Sequence, residues 1–229
     1  GMLQSLSMKD YPRKLFQQFG LTIIDECHHI GAEVFSRALF TVVSKYMLGL
    51  SATMERKDSL SKVFKMFLGP IVFSKKSDNN ADVLVKAIYY SHDDEAFSHT
   101  DLNFRGQVHY SKMIKKLCEF NRRSEFILKV LKDTLELGDK EQHIMIIAHN
   151  KHLLHYLFDA IEHRKITSVG YYVGGMKEDA LKESENKQVI IATYAMAEEA
   201  LDIKTLTTLI MATPKTDVRQ AVGRILRQK

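Results

Sequence analysis

Cysteine is almost missing from this 229-residue chain, which has only Cys27 and Cys118. Two thiols cannot build the disulfide framework of a small secreted domain, so a reducing, intracellular compartment (cytoplasm or nucleus) is expected. No apolar run approaches the length of a membrane span. The first twenty residues lack the apolar stretch of a secretion signal, so no membrane partner is expected. Low-complexity tracts and solenoid-type repeats are also missing. A composition of 45% hydrophobic and 27% charged residues excludes a disordered or collagen-like chain. The length suits one large domain or two modest ones.

The formal net charge of +5 is unevenly spread. Residues 1–76 hold 11 basic and 6 acidic side chains, and residues 77–229 hold 22 of each. That excess permits contact with a polyanion without demonstrating it.

Short β-rich runs alternate with helical patterns, the signature of an α/β chain with parallel sheets. Leu21-Thr22-Ile23-Ile24 is a short apolar run ending in Asp25-Glu26. A helical spacing follows over 32–45, then a strand-like Tyr46-Met47-Leu48-Gly49-Leu50 ending in Ser51-Ala52-Thr53. A further amphipathic helix over 58–68 is broken by Gly69-Pro70. Polar residues 74–82 form the linker candidate, dividing the chain into domains at 1–76 and 82–229. Beyond it, residues 83–90 read as a strand and 92–106 as a long loop. Helices are expected over 108–119, 122–137, 151–163 and 217–227, with strands over 144–148, 169–173, 189–193 and 208–212.

Three motifs carry chemistry. Asp25-Glu26-Cys27-His28 directly follows a strand. Nucleotide hydrolysis on a parallel sheet needs a carboxylate at a strand's carboxyl end to hold the hydration shell of Mg²⁺, which suits Asp25. A second carboxylate beside it, Glu26, can orient and deprotonate the attacking water. Taken alone, the tetrapeptide also reads as an ordinary acidic turn. One strand–helix unit later, Ser51 and Thr53 offer hydroxyls able to hydrogen-bond the acidic box and transmit its state. Near the end of the chain, Gln220, Arg224 and Arg227 stand at i, i+4 and i+7, so all three share one helix face.

These residues resemble the motor core of superfamily 2 helicases and translocases. Asp25-Glu26-Cys27-His28 matches the DExH box, Ser51-Ala52-Thr53 the motif after it, and Gln220 to Arg227 the QxxGRxxR motif. The resemblance implies two RecA-like parallel-sheet domains, the first incomplete, that use ATP and Mg²⁺. It places Asp25 on Mg²⁺ through water, Glu26 as base, His28, Ser51 and Thr53 as coupling residues, and Gln220, Arg224 and Arg227 on the nucleotide. Asp202 is implied to reach the ribose or the catalytic face, although Ala200 stands where the family usually has glycine. Nucleic-acid contacts are implied at Gln4, Ser5, His149, Asn150, Gly174, Gly175 and Thr193. The Gly-Leu-Ser-Ala-Thr run, the Asn121-Arg122-Arg123 stretch before a helix, and Gly-Arg-Ile-Leu-Arg look most like DNA-directed members: excision-repair helicases, type III restriction motors, and phage and large-virus relatives. DNA is therefore the expected partner. An RNA helicase and a non-catalytic nucleic-acid-binding remnant are the rivals.

No glycine is followed by lysine, so the family's phosphate-cradling P-loop does not occur here. The chain is accordingly expected to be part of a larger helicase and not to hydrolyse ATP by itself. His28 and His29 lack partners at metal-ligand spacing, and Cys27 reads as packing. Tyr89, Tyr90, Tyr171 and Tyr172 read as core, and Lys75-Lys76 and Lys115-Lys116 as solvated.

The arginine pair gives a test. In a longer protein that also carries a P-loop, Arg227→Ala or Arg224→Ala should cut DNA-stimulated turnover at least about a hundredfold. Nucleotide-free DNA affinity and its salt slope should stay unchanged. A basic-patch role predicts the reverse, and ATPase assays with a salt titration separate the two.

Overall fold

The computed structural model describes residues 3–27, 33–42, 44–51, 61–75, 84–138, 142–199, 203, 205–216 and 218. The chain divides into two compact units, Gly1–Asn79 and Asn80–Lys229.

The first unit runs α1 (Leu3–Met8), α2 (Arg13–Gln17), β1 (Leu21–Ile24), α3 (Glu33–Thr41), β2 (Tyr46–Gly49) and α4 (Ser61–Leu68). Strands β1 and β2 pair in parallel, with Leu21 opposite Tyr46 and Ile24 opposite Gly49. Ile24, Cys27 and Leu39 form a small buried core beneath them, with Met47, Phe67 and Leu68 packed on its margin. Leu21, Ile23, Tyr46 and Leu48, which alternate along the paired strands, are exposed.

The second unit begins with α5 (Glu95–Ser98), α6 (Tyr110–Glu119) and α7 (Asn121–Leu137). It continues through β3 (His143–Ala148), α8 (Lys151–His163), β4 (Val169–Tyr172), α9 (Glu178–Glu185), β5 (Val189–Thr193), α10 (Tyr194–Glu199) and β6 (Leu206–Met211). Its sheet has the order β4-β5-β3-β6, with every pair parallel. Strand β3 is central, and residues 144–148 are at most 1% exposed. On one face Ile144, Ile146 and Ala148 join a core with Leu128, Leu131 and Leu154; on the other Met145 and Ile147 pack with Tyr172, Tyr194 and Leu206. An unbroken apolar run is what a parallel strand covered on both faces requires, and each large side chain so buried contributes about 1.5–3 kcal/mol. Helix α8 occupies 151–163 as the periodicity predicts, because the Asn150 carboxamide oxygen accepts the His152 N–H at 2.7 Å and caps it.

The α/β reading with parallel sheets is correct, but four local readings need revision. Residues 84–90 form no strand: Leu84, Val85 and Tyr89 are 93%, 81% and 95% exposed, and strand propensity without a pairing partner makes no sheet. Tyr89 is therefore not core, while Tyr90 is half-buried with its ring against Phe97 and Phe126. Residues 92–106 are ordered by helix α5 and the start of a hairpin closed by a Leu102–Val108 bridge. Asn121, Arg122 and Arg123 lie inside α7, not before it. The expected helix over 217–227 falls outside the described residues. Among the described residues no helix is long and apolar enough to cross a membrane.

Helices α7 and α8 are tied by one polar cluster. Arg164 reaches Glu125 through two guanidinium nitrogens at 2.7 Å each, and the Tyr156 hydroxyl donates to the same carboxylate. The Arg164 and Tyr156 hydrogen bonds hold the Glu125 carboxyl down at about 2, from an ordinary 4.5. A depressed carboxylate lends stability above its unfolded pKa and loses it as the pH falls through the folded value. The chain should therefore lose thermal stability as the pH drops from about 4.5 toward 2, and Glu125→Gln should flatten that limb. The effect should be modest because the ion pair is half-exposed. Melting temperatures across that range provide the check.

Candidate functional site

The first feature is the turn that follows β1. The Leu50 N–H donates to the Ile24 carbonyl at 2.8 Å, and the Cys27 N–H donates to the Leu50 carbonyl at 2.9 Å. Asp25 and Glu26 are thus a two-residue excursion held on both sides by one residue of the neighbouring strand end. Both carboxylates are exposed, and Asp25 Oδ1 accepts the Glu26 N–H at 2.9 Å. Glu26 adopts φ 48, in the left-handed region that non-glycine residues seldom occupy. Cys27 is 1% exposed, and burial pushes its thiol pKa up. It lies so close to Gly49 that a Cβ there would stand 2.9 Å from Cys27 Sγ and 2.5 Å from Leu68 Cδ1. Packing of Cys27 on a bare backbone therefore seats the acidic turn. Half-buried Ser51 follows Leu50 directly.

The second feature is the carboxyl edge of the four-stranded sheet. Parallel pairing brings all the strand ends to one side, where α/β sheets bind ligands. Gly174 and Gly175 (φ 93) follow β4, Thr193 ends β5 opposite Ala148, and His149 and Asn150 follow β3. Five sequence-predicted nucleic-acid residues thus share one edge. Within this set the Asn150 side chain is committed to capping α8.

The same edge holds a cluster that motif reading passed over. Thr213, 1% exposed, accepts the His149 backbone N–H at 3.1 Å and sits 2.8 Å from His149 Nδ1 through the same hydroxyl oxygen. The Tyr194 hydroxyl donates to the Thr213 carbonyl, and the Tyr194 ring lies 4.6 Å from that of His149. Lys215 Nζ stands 5.0 Å over the Tyr194 ring. Arg123 donates to the carbonyls of Leu117 and Ala212, and burial lowers its pKa. Tyr110 donates to the Pro214 carbonyl at 3.0 Å. Residues 212–215, which lead toward Gln220 and Arg224, are thereby tied to α6, α7, β3 and α10. In the sequence Thr213 is marked only by the proline that follows it at the end of a strand-like run.

Residues 2–56 match the family described as type III restriction enzyme, res subunit. Over its full length the chain is 38% identical to the putative ATP-dependent RNA helicase L396 of Acanthamoeba polyphaga mimivirus and covers 44% of it. These similarities support reading the chain as a fragment of a superfamily 2 helicase. It spans about half the length of the curated relatives it matches. In fold it is similar to the DUF1998 helicase MrfA bound to DNA and AMPPNP, at 17% identity and a TM-score of 0.57, covering 99% of this chain and 31% of that one. It is also similar to S. cerevisiae Dbp5 bound to RNA and ADP BeF3, at 15% identity and a TM-score of 0.53, covering 94% and 52%.

Of the superfamily 2 motif residues, Gln4 and Ser5 lie on α1. His28, Thr53, Asp202, Gln220, Arg224 and Arg227 lie outside the described residues. Among the described residues no group of three or more His, Cys, Asp or Glu could hold a metal ion. Asp25 and Glu26 offer carboxylate oxygens to a hydrated cation at the acidic turn.

Thr213 can be tested directly. Thr213→Val keeps the shape but removes, at a buried position, the hydroxyl that accepts the His149 N–H. Stability should fall by about 1–3 kcal/mol, read from denaturant unfolding. Thr213→Ser, which keeps the hydroxyl, should recover most of the loss.

Proposed function

We propose that this chain is the part of an ATP-driven helicase or translocase that carries its hydrolytic carboxylates and a nucleic-acid-gripping sheet edge, and that its track is DNA. The observation that carries the reading is the acidic turn. Two carboxylates stand at the carboxyl end of a parallel strand, with Glu26 held at φ 48. Such a conformation costs on the order of 1–3 kcal/mol and concentrates at functional sites.

Asp25 fits a hydrated Mg²⁺, since oxygen donors suit that ion and its carboxylate is exposed. Mg²⁺, when bound, supplies neutralisation of phosphate charge. Glu26 orients the attacking water and takes its proton. Ser51, with His28 and Thr53, reports the state of the acidic turn. The Gln220, Arg224 and Arg227 motif engages the phosphates of ATP, and Asp202 the ribose or the catalytic face. Their assignment rests on the sequence motif alone. His149, Asn150, Gly174, Gly175 and Thr193 contact the nucleic-acid backbone from the second unit, and Gln4 and Ser5 from the first.

The choice of DNA rests on the Gly-Leu-Ser-Ala-Thr and Gly-Arg-Ile-Leu-Arg wording and on the restriction-enzyme match over residues 2–56. The name of the mimivirus relative favours RNA. Both are decided in a protein that joins this chain to a P-loop. DNA should stimulate ATP turnover more than RNA does, and Glu26→Gln should abolish turnover while nucleotide binding persists. Turnover surviving Glu26→Gln would remove the base assignment, and stronger stimulation by RNA would reverse the choice of track.

A further inference from the structure

Residues 101–109 build a hairpin that no helicase motif covers. The His109 N–H donates to the Asp101 carbonyl and the Asn103 N–H to the Gln107 carbonyl, both at 2.7 Å. Leu102 and Val108 pair across it. At the tip, Asn103 Oδ1 accepts the backbone N–H groups of Arg105 and Gln107 at 2.9 and 3.0 Å, and Gly106 turns the chain at φ 72. The root is fixed as well. Lys116, far from solvated, is 20% exposed, pairs with Asp101 at 3.0 Å and donates to the His99 carbonyl. The Lys116 hydrogen bond holds the Asp101 carboxyl below its ordinary range.

All this order holds one aromatic ring in water. Phe104 is 91% exposed, and the Arg105 guanidinium lies over its ring at 5.2 Å. Residues 99–119 carry Arg105, Lys112, Lys115 and Lys116 against Asp101 and Glu119. The hairpin also runs into α6, whose Tyr110 hydroxyl binds the Pro214 carbonyl beside Thr213 and hence beside His149. It is therefore rooted at the sheet edge that carries the proposed backbone contacts.

We infer that the Phe104–Arg105 tip stacks on an exposed base of a single-stranded nucleic acid whose backbone lies along that sheet edge. The inference rests on the proposed nucleic-acid function. An aromatic face paired with a guanidinium suits any base, and the cations beside it suit the phosphates. A protein partner would also cover apolar surface, but the local excess of positive charge favours the polyanion.

The chain has no tryptophan, so Phe104→Trp introduces a single indole at the tip. Binding to the 229-residue chain is measured with a single strand of about 12 nucleotides, as DNA and as RNA, and with an abasic strand of equal length. Phe104→Ala should weaken binding to the base-bearing strand about tenfold, leave the abasic strand unaffected and preserve the salt slope. Phe104→Trp should bind like the parent, with its emission quenched by the base-bearing strand. Unchanged binding by Phe104→Ala with unmoved emission from Phe104→Trp, while the parent binds, would overturn the stacking role and leave the nucleic-acid reading standing. Equal weakening on both strands would overturn it too. A parent chain that binds no strand would overturn the functional reading and this inference with it.

Discussion

Enclosure of β3 on both faces is the constraint from which the second unit's geometry follows. A strand whose residues 144–148 are at most 1% exposed must have a pairing partner on each edge and helices above and below. The strands are joined through crossover helices, so the pairing is parallel and every carboxyl end emerges on one side. His149, Gly174, Thr193 and Thr213 come from distant parts of the sequence and share an edge for that reason. None of them needs a specific contact with the others to be there, although His149 and Thr213 make one.

The first unit solves a similar problem with less material. Its two described strands are buried on one face by Ile24, Cys27 and Leu39, while Leu21, Ile23, Tyr46 and Leu48 are exposed. The acidic turn is joined to this small core by the close approach of Cys27 to Gly49. A two-residue turn held at both ends by Leu50 has little freedom, and this restriction keeps both carboxylates in water at the strand end.

In the proposed function the described residues divide the labour: the acidic turn handles a cation and a water molecule, and the sheet edge and its hairpin an extended polyanion. The segment 212–215 is bound by Arg123, His149, Tyr194 and Tyr110. It therefore connects residues at the carboxyl edge of the sheet to the stretch of chain leading toward Gln220 and Arg224.

Much of this was legible in the sequence, because its signals are local. Apolar runs such as Ile144-Met145-Ile146-Ile147 give buried strands, Asn150 ahead of a 3.6-residue periodicity starts a helix, and Asp25-Glu26 after Leu21-Thr22-Ile23-Ile24 marks a strand-end carboxylate pair. Residues 84–90 have the same local character as those strands, yet among the described residues no strand pairs with them. Lys116 looks like any lysine until Asp101 and the His99 carbonyl are brought to it. Thr213 and Phe104 are ordinary residues in the sequence. What makes one a buried junction and the other an exposed ring is the set of partners around them, separated by up to 104 positions in the Tyr110–Pro214 pair. Sequence periodicity records which side chains avoid water. It does not record which distant polar groups meet, and those meetings decide how this chain presents its sites.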